Sequence, residues 1–373
     1  MSNSSSDSRK RVLSGMRPTG KLHLGNYMGA LYNWVRLQHD YECYFCIVDW
    51  HALTTDYADP SLVSENTCEV ALDWLGAGLD PQQCVMFVQS HVKQHAELHL
   101  LLSMITPLGW LERVPTYKEQ QENLTGRDLT TYGFLGYPLL QSADILIYQA
   151  DFVPVGQDQV AHVELTREVA RRFNQFYKPK PVASGVQTEQ AVHLNRGIRV
   201  GKALVEADPD SREILPEPQV LLTPSPKLPG TDGRKMSKSY GNTILLTDPE
   251  PVIRQKLKPM VTDPARIRRT DPGNPEVCPV FDLHKVFSGA ETQRKAREGC
   301  TTASIGCIEC KSWLADAVVA ELAPIQERRL KFENDPSLVA DILKAGEQRA
   351  AARAEQTMVQ VRAAMGLSAE RYK

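Results

Sequence analysis

Two short stretches hold residues whose types and spacing could handle a polyphosphate. The first is Ser14-Gly-Met-Arg-Pro-Thr-Gly-Lys-Leu-His-Leu-Gly-Asn26, where Gly15, Pro18, Gly20 and Gly25 are interleaved with His23 and Asn26. A glycine-rich turn from strand to helix lets backbone N–H groups approach a phosphate, and the helix N-terminus favours the anion. His23 and Asn26 add neutral donors where phosphate charge would develop. Alone, the turn also reads as an ordinary strand-to-helix connection whose glycines serve geometry. The second stretch is Gly233-Arg-Lys-Met-Ser-Lys-Ser-Tyr-Gly-Asn242. Lys235 and Lys238 could be carried by such a loop onto a polyphosphate as point charges. A lysine pair alone is more often a solvated basic turn.

Other candidates are single residues in informative places. Asp144 is an acid inside the apolar run Tyr137–Tyr148, a costly position unless it has a partner. His51 lies in Asp49-Trp-His-Ala52, just past a strand, where open α/β sheets place ligand-binding groups. Gly156, Asp158 and Gln159 occupy the equivalent place after a later strand. Lys118, in Thr116-Tyr-Lys-Glu119, is a further phosphate-reaching candidate or a solvated lysine.

The elements that must position these groups alternate. Arg11–Ser14, residues 41–48 and Val85–Val88 read as strands, as does the stretch following Ala150. Helices are expected after the first turn, with Tyr27, Ala30, Leu31, Trp34 and Val35 on one face, from Asp59 to about Leu75, and from Val160 to Phe173. This alternation predicts an α/β fold with a doubly wound parallel sheet. Residues 178–232 read as loops with a short inserted subdomain, residues 250–320 as helical, and Pro336–Leu367 as a long terminal helix.

Composition bounds the function. The 373 residues are 42% apolar and 24% charged with a net charge of −2, ordinary for a globular protein of more than one domain. No global basic field advertises a nucleic acid, so such a partner would have to meet local patches, for which the basic run Arg254–Arg269 is a candidate. No apolar run approaches a membrane span, and the polar Met1–Ser8 lacks a signal peptide's apolar segment; a cytoplasmic, membrane-free protein is expected.

Eight cysteines in such a compartment argue against disulfides. Cys43 and Cys46 lie three apart in a strand and therefore point to opposite faces, which favours core packing over metal binding. Cys278, Cys300, Cys307 and Cys310 have the spacing C-x21-C-x6-C-x2-C. Four thiols so arranged suit a tetrahedral zinc or a cubane iron–sulfur cluster, or pack separately in a core.

Together the two signature stretches, in this order, resemble the ATP motifs of class I aminoacyl-tRNA synthetases. His23-Leu-Gly-Asn26 followed by Tyr27-Met-Gly-Ala-Leu31 looks like the tryptophanyl branch. Similarity to the bacterial tryptophanyl-tRNA synthetases continues through Cys46–Ala52, Tyr137–Leu146, Val153–Gln159 with His162–Arg167, Lys235–Ser239 and Pro324–Arg328, leaving out only about 180–215. The resemblance implies a Rossmann-like catalytic domain at 1–225, completed by the C-terminal helix within 325–373, and at 226–324 the lysine loop followed by an α-helical anticodon-binding domain that holds the late cysteines. It implies activation of L-tryptophan by ATP with Mg2+, transfer to tRNA(Trp), and a homodimer. His23, Asn26, Lys118, Lys235 and Lys238 would be catalytic. Arg17, Gly25, Gly156, Asp158, Gln159, Met236 and Ser237 would bind ATP. His51, Tyr137, Gln141, Asp144, Val153 and Val155 would bind tryptophan, with Asp144 accepting the indole N–H. Gln141 departs from the apolar methionine that many relatives carry there. A subgroup of the family carries a [4Fe–4S] cluster on cysteines arranged as Cys278, Cys300, Cys307 and Cys310 are, in its anticodon-binding domain, which would place Lys311 and the basic residues 254–269 near tRNA phosphates; zinc is the alternative. Rival readings are a tyrosyl-tRNA synthetase and a non-catalytic paralogue that binds tRNA or tryptophan.

Overall fold

Hydrophobic segments bounded by turn residues come together as a single parallel sheet. The computed structural model describes residues 9–115, 129–177, 213–222 and 227–367. The strands are β1 (Arg11–Met16), β2 (Glu42–Ile47), β3 (Cys84–Val88), β4 (Phe152–Val155) and β5 (Gln219–Leu222), all parallel in the order β3-β2-β1-β4-β5. Strand order reverses between β1 and β4, and in open α/β sheets ligands bind outside the carboxyl ends of the strands at such a point. The sequence reading missed β5, which lies in the stretch taken as loops. With four residues, it offers too short a pattern to separate from a loop.

The first turn leads into a short helix α1 (Leu24–Asn26), a π-helical segment at Tyr27–Leu31 and helix α2 (Tyr32–Asp40). The expected apolar face forms here: Leu31 and Trp34 are buried, and the Trp34 ring stacks on Phe45 of β2 at 4.8 Å. Helices α3 (Asp49–Asp56) and α4 (Val63–Ala77) follow β2. The start of α4 falls four residues later than the sequence suggested, because Asp59 and Pro60 form a turn in which Asp59 accepts the Ser61 N–H. Beyond β3 come α5 (Gln94–Ser103), α6 (Leu108–Glu112) and α7 (Tyr132–Ile147), and beyond β4 comes α8 (Val160–Tyr177).

Two apolar clusters form the core. One holds Cys43, Phe45 and Ile47, and the other holds Tyr44, Cys46 and Val48, as the two-residue period of a strand requires. Cys43 and Cys46 therefore face different layers, and each is a packed core thiol.

The second half is helical: α9 (Glu250–Leu257), α10 (Pro279–Phe287), α11 (Ala290–Thr301), α12 (Cys307–Glu333) and α13 (Pro336–Ala364). The first core cluster continues into it through Leu283, Leu314, Val318 and Leu322. Helix α12 runs unbroken through residues 324 and 325, despite Pro324. Helix α13 returns to the sheet and packs along β3, with Gly346 against the Met86 carbonyl and Arg349 donating to the carbonyls of Pro81 and Cys84. Among the described residues no helix is long and apolar enough to cross a membrane.

Candidate active site

The turn after β1 is organised by its own side chains. The His23 imidazole accepts the Gly25 N–H through Nδ1 at 3.0 Å, so the ring proton sits on Nε2. The Asn26 side chain closes the reciprocal cap by accepting the His23 N–H at 3.2 Å. Burial, with the charges of Lys238 and Lys235, lowers the His23 pKa to about 4. At neutral pH His23 is therefore an uncharged donor beside two cations.

The distant lysine loop is held against this turn by backbone pairing. Leu24 N–H donates to the Ile244 carbonyl at 2.9 Å and Leu246 N–H to the Leu22 carbonyl at 2.9 Å. Lys238 Nζ donates to the Thr19 carbonyl at 2.8 Å, and Met236 is buried against Gly25. Gly20 needs its backbone freedom, since its φ is +92° and a Cβ there would press on Asn66. Asn242 pins the loop from within, accepting the Ser237 N–H at 2.8 Å and donating to Asp232 at 2.7 Å. Lys235 is exposed. Burial lowers the pKa of Lys238 while nearby Asp73 opposes the shift.

Beside this turn, a cavity of about 340 Å³ opens at the carboxyl ends of β1 and β4. Arg17, His51, Tyr137, Gln141, Asp144, Val153, Val155, Gly156 and Gln159 line it, together with Gly15, Ala30, Trp34 and His162. Nine of the sequence-derived candidates thus meet in one concave site. Lys118 lies outside the described residues, as does the side chain of Asp158. Arg17 is anchored to α3, donating to Thr55 Oγ1 at 2.5 Å and lying 3.6 Å from Asp56.

Asp144 has the partners its burial demands. It is 2% exposed and accepts from Gln89 Nε2 at 2.8 Å to each oxygen. His51 Nε2 lies 3.0 Å from Oδ2 and His95 Nδ1 2.6 Å from Oδ1. Burial alone would raise its pKa, but hydrogen bonds and charge from His51 and His95 outweigh that and hold it at about 2. His95 Nε2 in turn lies 2.7 Å from the Tyr148 hydroxyl. Gln89, His95 and Tyr148 escaped the sequence reading. Gln89 directly follows β3 and was within reach of the strand-end rule. His95 carried no local signal, because only packing brings α5 under α7.

The four late cysteines gather from three helices. Cys278 precedes α10, Cys300 lies in the last turn of α11, and Cys307 and Cys310 lie in the first turn of α12. They are close enough to influence one another's ionisation. Burial, reinforced by Cys278, Cys300 and Cys307, pushes the Cys310 thiol up to about 12. Arg266 Nη1 is 3.7 Å from Cys300 Sγ and His284 Nε2 3.4 Å from Cys310 Sγ. As these side chains stand, no group of three or more His, Cys, Asp or Glu among the described residues is spaced to hold a metal ion. Lys311 does not face solvent, contrary to its reading as a phosphate contact. It is buried and donates to the Lys258 carbonyl at 2.9 Å, joining α12 to the end of α9. Arg254 is likewise engaged, with Glu250 and Asp316.

Residues 5–323 match the family described as tRNA synthetases class I (W and Y). The chain is 51% identical to the tryptophan–tRNA ligase of Ralstonia nicotianae over 96% of this chain and 99% of that one. It is 50% identical to the tryptophan–tRNA ligase of Thermotoga maritima, again over 96% and 99%. Among solved structures, tryptophanyl-tRNA synthetase of Campylobacter jejuni complexed with ADP and tryptophan superposes with a TM-score of 0.79 at 30% identity, covering 96% of this chain and all of that one.

Proposed function

The chain belongs to the class I tRNA synthetases of the tryptophan and tyrosine type and acts as a tryptophan–tRNA ligase; on that premise we propose how its residues divide the work. ATP, with magnesium, lies over the first turn, its phosphates facing His23, Asn26, Lys235 and Lys238, with Lys118 assisting. Gly25 and Met236 form the bed of the nucleotide, and Arg17, Gly156, Asp158, Gln159 and Ser237 border it. Tryptophan occupies the cavity, its indole walled by Val153 and Val155, with His51, Tyr137 and Gln141 around it and its N–H directed to Asp144.

In the first step a tryptophan carboxylate oxygen attacks the α-phosphorus and pyrophosphate leaves. The 2′-hydroxyl of the tRNA terminal adenosine then takes the aminoacyl group and AMP leaves. Neither step needs a side-chain nucleophile. The protein contributes positioning and charge stabilisation, with the neutral donors His23 and Asn26 and the cations Lys235 and Lys238 meeting the charge that develops on the leaving group. Indole offers one donor and no acceptor, so an ionised, buried carboxylate is a natural reader of it. The observation that carries this reading is the proximity of Lys235 and Lys238 to His23, beside a cavity with Asp144 in its wall. Pyrophosphate exchange with tryptophan and with tyrosine tests it. Exchange with tryptophan alone is expected, and equal exchange with both amino acids would overturn the assignment of the cavity.

The four cysteines form a donor set of the right kind for a [4Fe–4S] cluster, with zinc as the alternative. Arg266 fits such a group: its guanidinium touches Cys300, and its buried Nε has no partner among the described residues. Cys278, Cys300, Cys307 and Cys310 would hold the cluster, and it would tie together the ends of α10, α11 and α12. Iron and zinc analysis of anaerobically purified protein separates the alternatives. We assign residues 1–225 and 325–373 to the catalytic unit, and 226–324 to the lysine loop that serves it followed by a helical tRNA-binding part, in a cytoplasmic homodimer. Exposed Leu100, Met104, Leu108 and Tyr132 on neighbouring helices support the dimer.

A further inference from the structure

Helix α12 starts at the cysteine cluster and is 27 residues long, about 40 Å at 1.5 Å per residue. Its far half is bonded repeatedly to the first signature and its surroundings. Glu321 accepts the Tyr27 hydroxyl at 2.8 Å. Gln326 Nε2 donates to the carbonyls of Leu246 and Asp248, at 2.8 and 2.9 Å. Arg329, 2% exposed, enters α4, where it pairs with Asp73 and, at 2.6 Å, with Glu69, while its own Glu333 lies at 2.7 Å.

Asp73 is wholly buried, and its second oxygen accepts the Leu22 N–H at 2.7 Å. The Leu22 carbonyl is itself held by Leu246 N–H. The residue immediately before His23 is therefore fixed on both its backbone groups, and one of the two anchors is a carboxylate gripped by α12. Asp73 also favours the charged form of Lys238.

We propose that Asp73 and Arg329 are positioning residues for adenylate formation: their ion pair is the junction through which α12 sets the turn carrying His23. The proposal rests on the reading of His23 and Lys238 as phosphate contacts and goes beyond it. Asp73 touches no substrate in this account; it acts through Leu22 and His23. A charged acceptor is required, since an amide here could satisfy Arg329 or Leu22 with its one oxygen, but not both. Burial lifts the Asp73 carboxyl to about 6, Arg329 and the Leu22 N–H oppose the rise, and Glu69 adds to it. The groups that face Asp73 are Arg329 from α12, Glu69 from its own helix and Lys238 from the lysine loop. Acidification through pH 6 therefore weakens the junction.

The test is Asp73→Asn in the full chain, assayed by pyrophosphate exchange per tryptophan-binding site. A displaced catalytic turn costs roughly tenfold to a hundredfold in rate. The expected result is a fall of that size in kcat and a tryptophan Kd within about twofold of the parent, with kcat declining below about pH 6 in the parent and not in the variant. A purely structural role leaves kcat per binding site and its pH dependence unchanged, and that result overturns the proposal. Arg329→Lys is the second variant, keeping the buried charge but losing the fork that reaches Asp73 and Glu69 together. It should lower kcat less, again at constant tryptophan Kd, and a parental kcat would overturn the proposal even if Asp73→Asn failed to fold. Lys238→Ala, run alongside, separates the two levels. If it exchanges normally, the phosphate reading fails; if it fails to exchange while Asp73→Asn is normal, the junction alone is refuted.

Discussion

His95 Nδ1 lies 2.6 Å from Asp144 Oδ1, so a carboxylate in the cavity wall is also gripped by a ring with no solvent exposure. Asp144 is ionised and can only accept, so His95 must donate through Nδ1. His95 Nε2 lies 2.7 Å from the Tyr148 hydroxyl, so the ring links Tyr148 to the carboxylate in the cavity wall. Replacing Asp144 by Ala is expected to lower kcat/KM for tryptophan by about 2–3 kcal/mol, the loss of a charge-assisted hydrogen bond. Steady-state exchange at varied tryptophan measures it, and a parental kcat/KM would reject Asp144 as the indole reader.

Lys238→Ala should act on chemistry more than on binding. Its charge is needed as pyrophosphate leaves, and its ammonium is held at Thr19, beside the first turn. The expected outcome is a kcat for exchange reduced by at least about tenfold, with tryptophan Kd nearly unchanged by equilibrium titration. Normal exchange combined with poor tryptophan binding would refute this division.

Stability should fall with acid because of His23. Its folded pKa is about 4 and its unfolded value 6.5, so the unfolded chain takes up the proton first. The contribution is complete above about pH 6.5 and is lost as pH drops toward 4. Urea unfolding at several pH values, comparing the parent with His23→Gln, isolates it. A variant whose stability falls just as steeply between pH 6.5 and 4 would remove His23 as the cause.

If the four late cysteines hold the proposed metal, its removal should affect the tRNA step first. Cys310→Ser is expected to abolish bound iron, or zinc if that is the resident metal, of which a cubane cluster would supply about four irons per chain. It should weaken tryptophanyl-tRNA formation more than pyrophosphate exchange, since the thiols lie at the end of α12 remote from Arg329. Metal content equal to the parent's in Cys310→Ser would show that this thiol is not a ligand.

Gly346→Ala offers a test of packing with an unusual sign. Alanine normally stabilises a helix interior relative to glycine by about 1 kcal/mol. Here the added carbon would stand 1.8 Å from the Met86 carbonyl oxygen, a backbone atom that no rotamer change can move. Helix α13 would have to shift off β3, and a net destabilisation of roughly 1–3 kcal/mol is expected by denaturant unfolding. A stabilised variant would mean that α13 does not lie this close to β3.

By itself the sequence determined the parallel α/β architecture, the two signature turns and the part of the cavity wall at His51, Asp144, Gly156 and Gln159. Those features rest on local pattern: the two-residue period that separates Cys43 from Cys46, the glycines around His23, and an acid too isolated in α7 to lack a partner. Four-residue β5 was too short to show such a pattern. Tertiary structure alone decided which groups answer that acid and what stabilises the first turn. His95 reaches Asp144 from another helix, Arg329 reaches Asp73 across 256 positions, and Lys311 turns inward to Lys258. A buried charge needs a partner of complementary chemistry at a few ångströms, and the chain encodes that need locally. Which residue meets it depends on how helices far apart in sequence pack, and no local spacing records that.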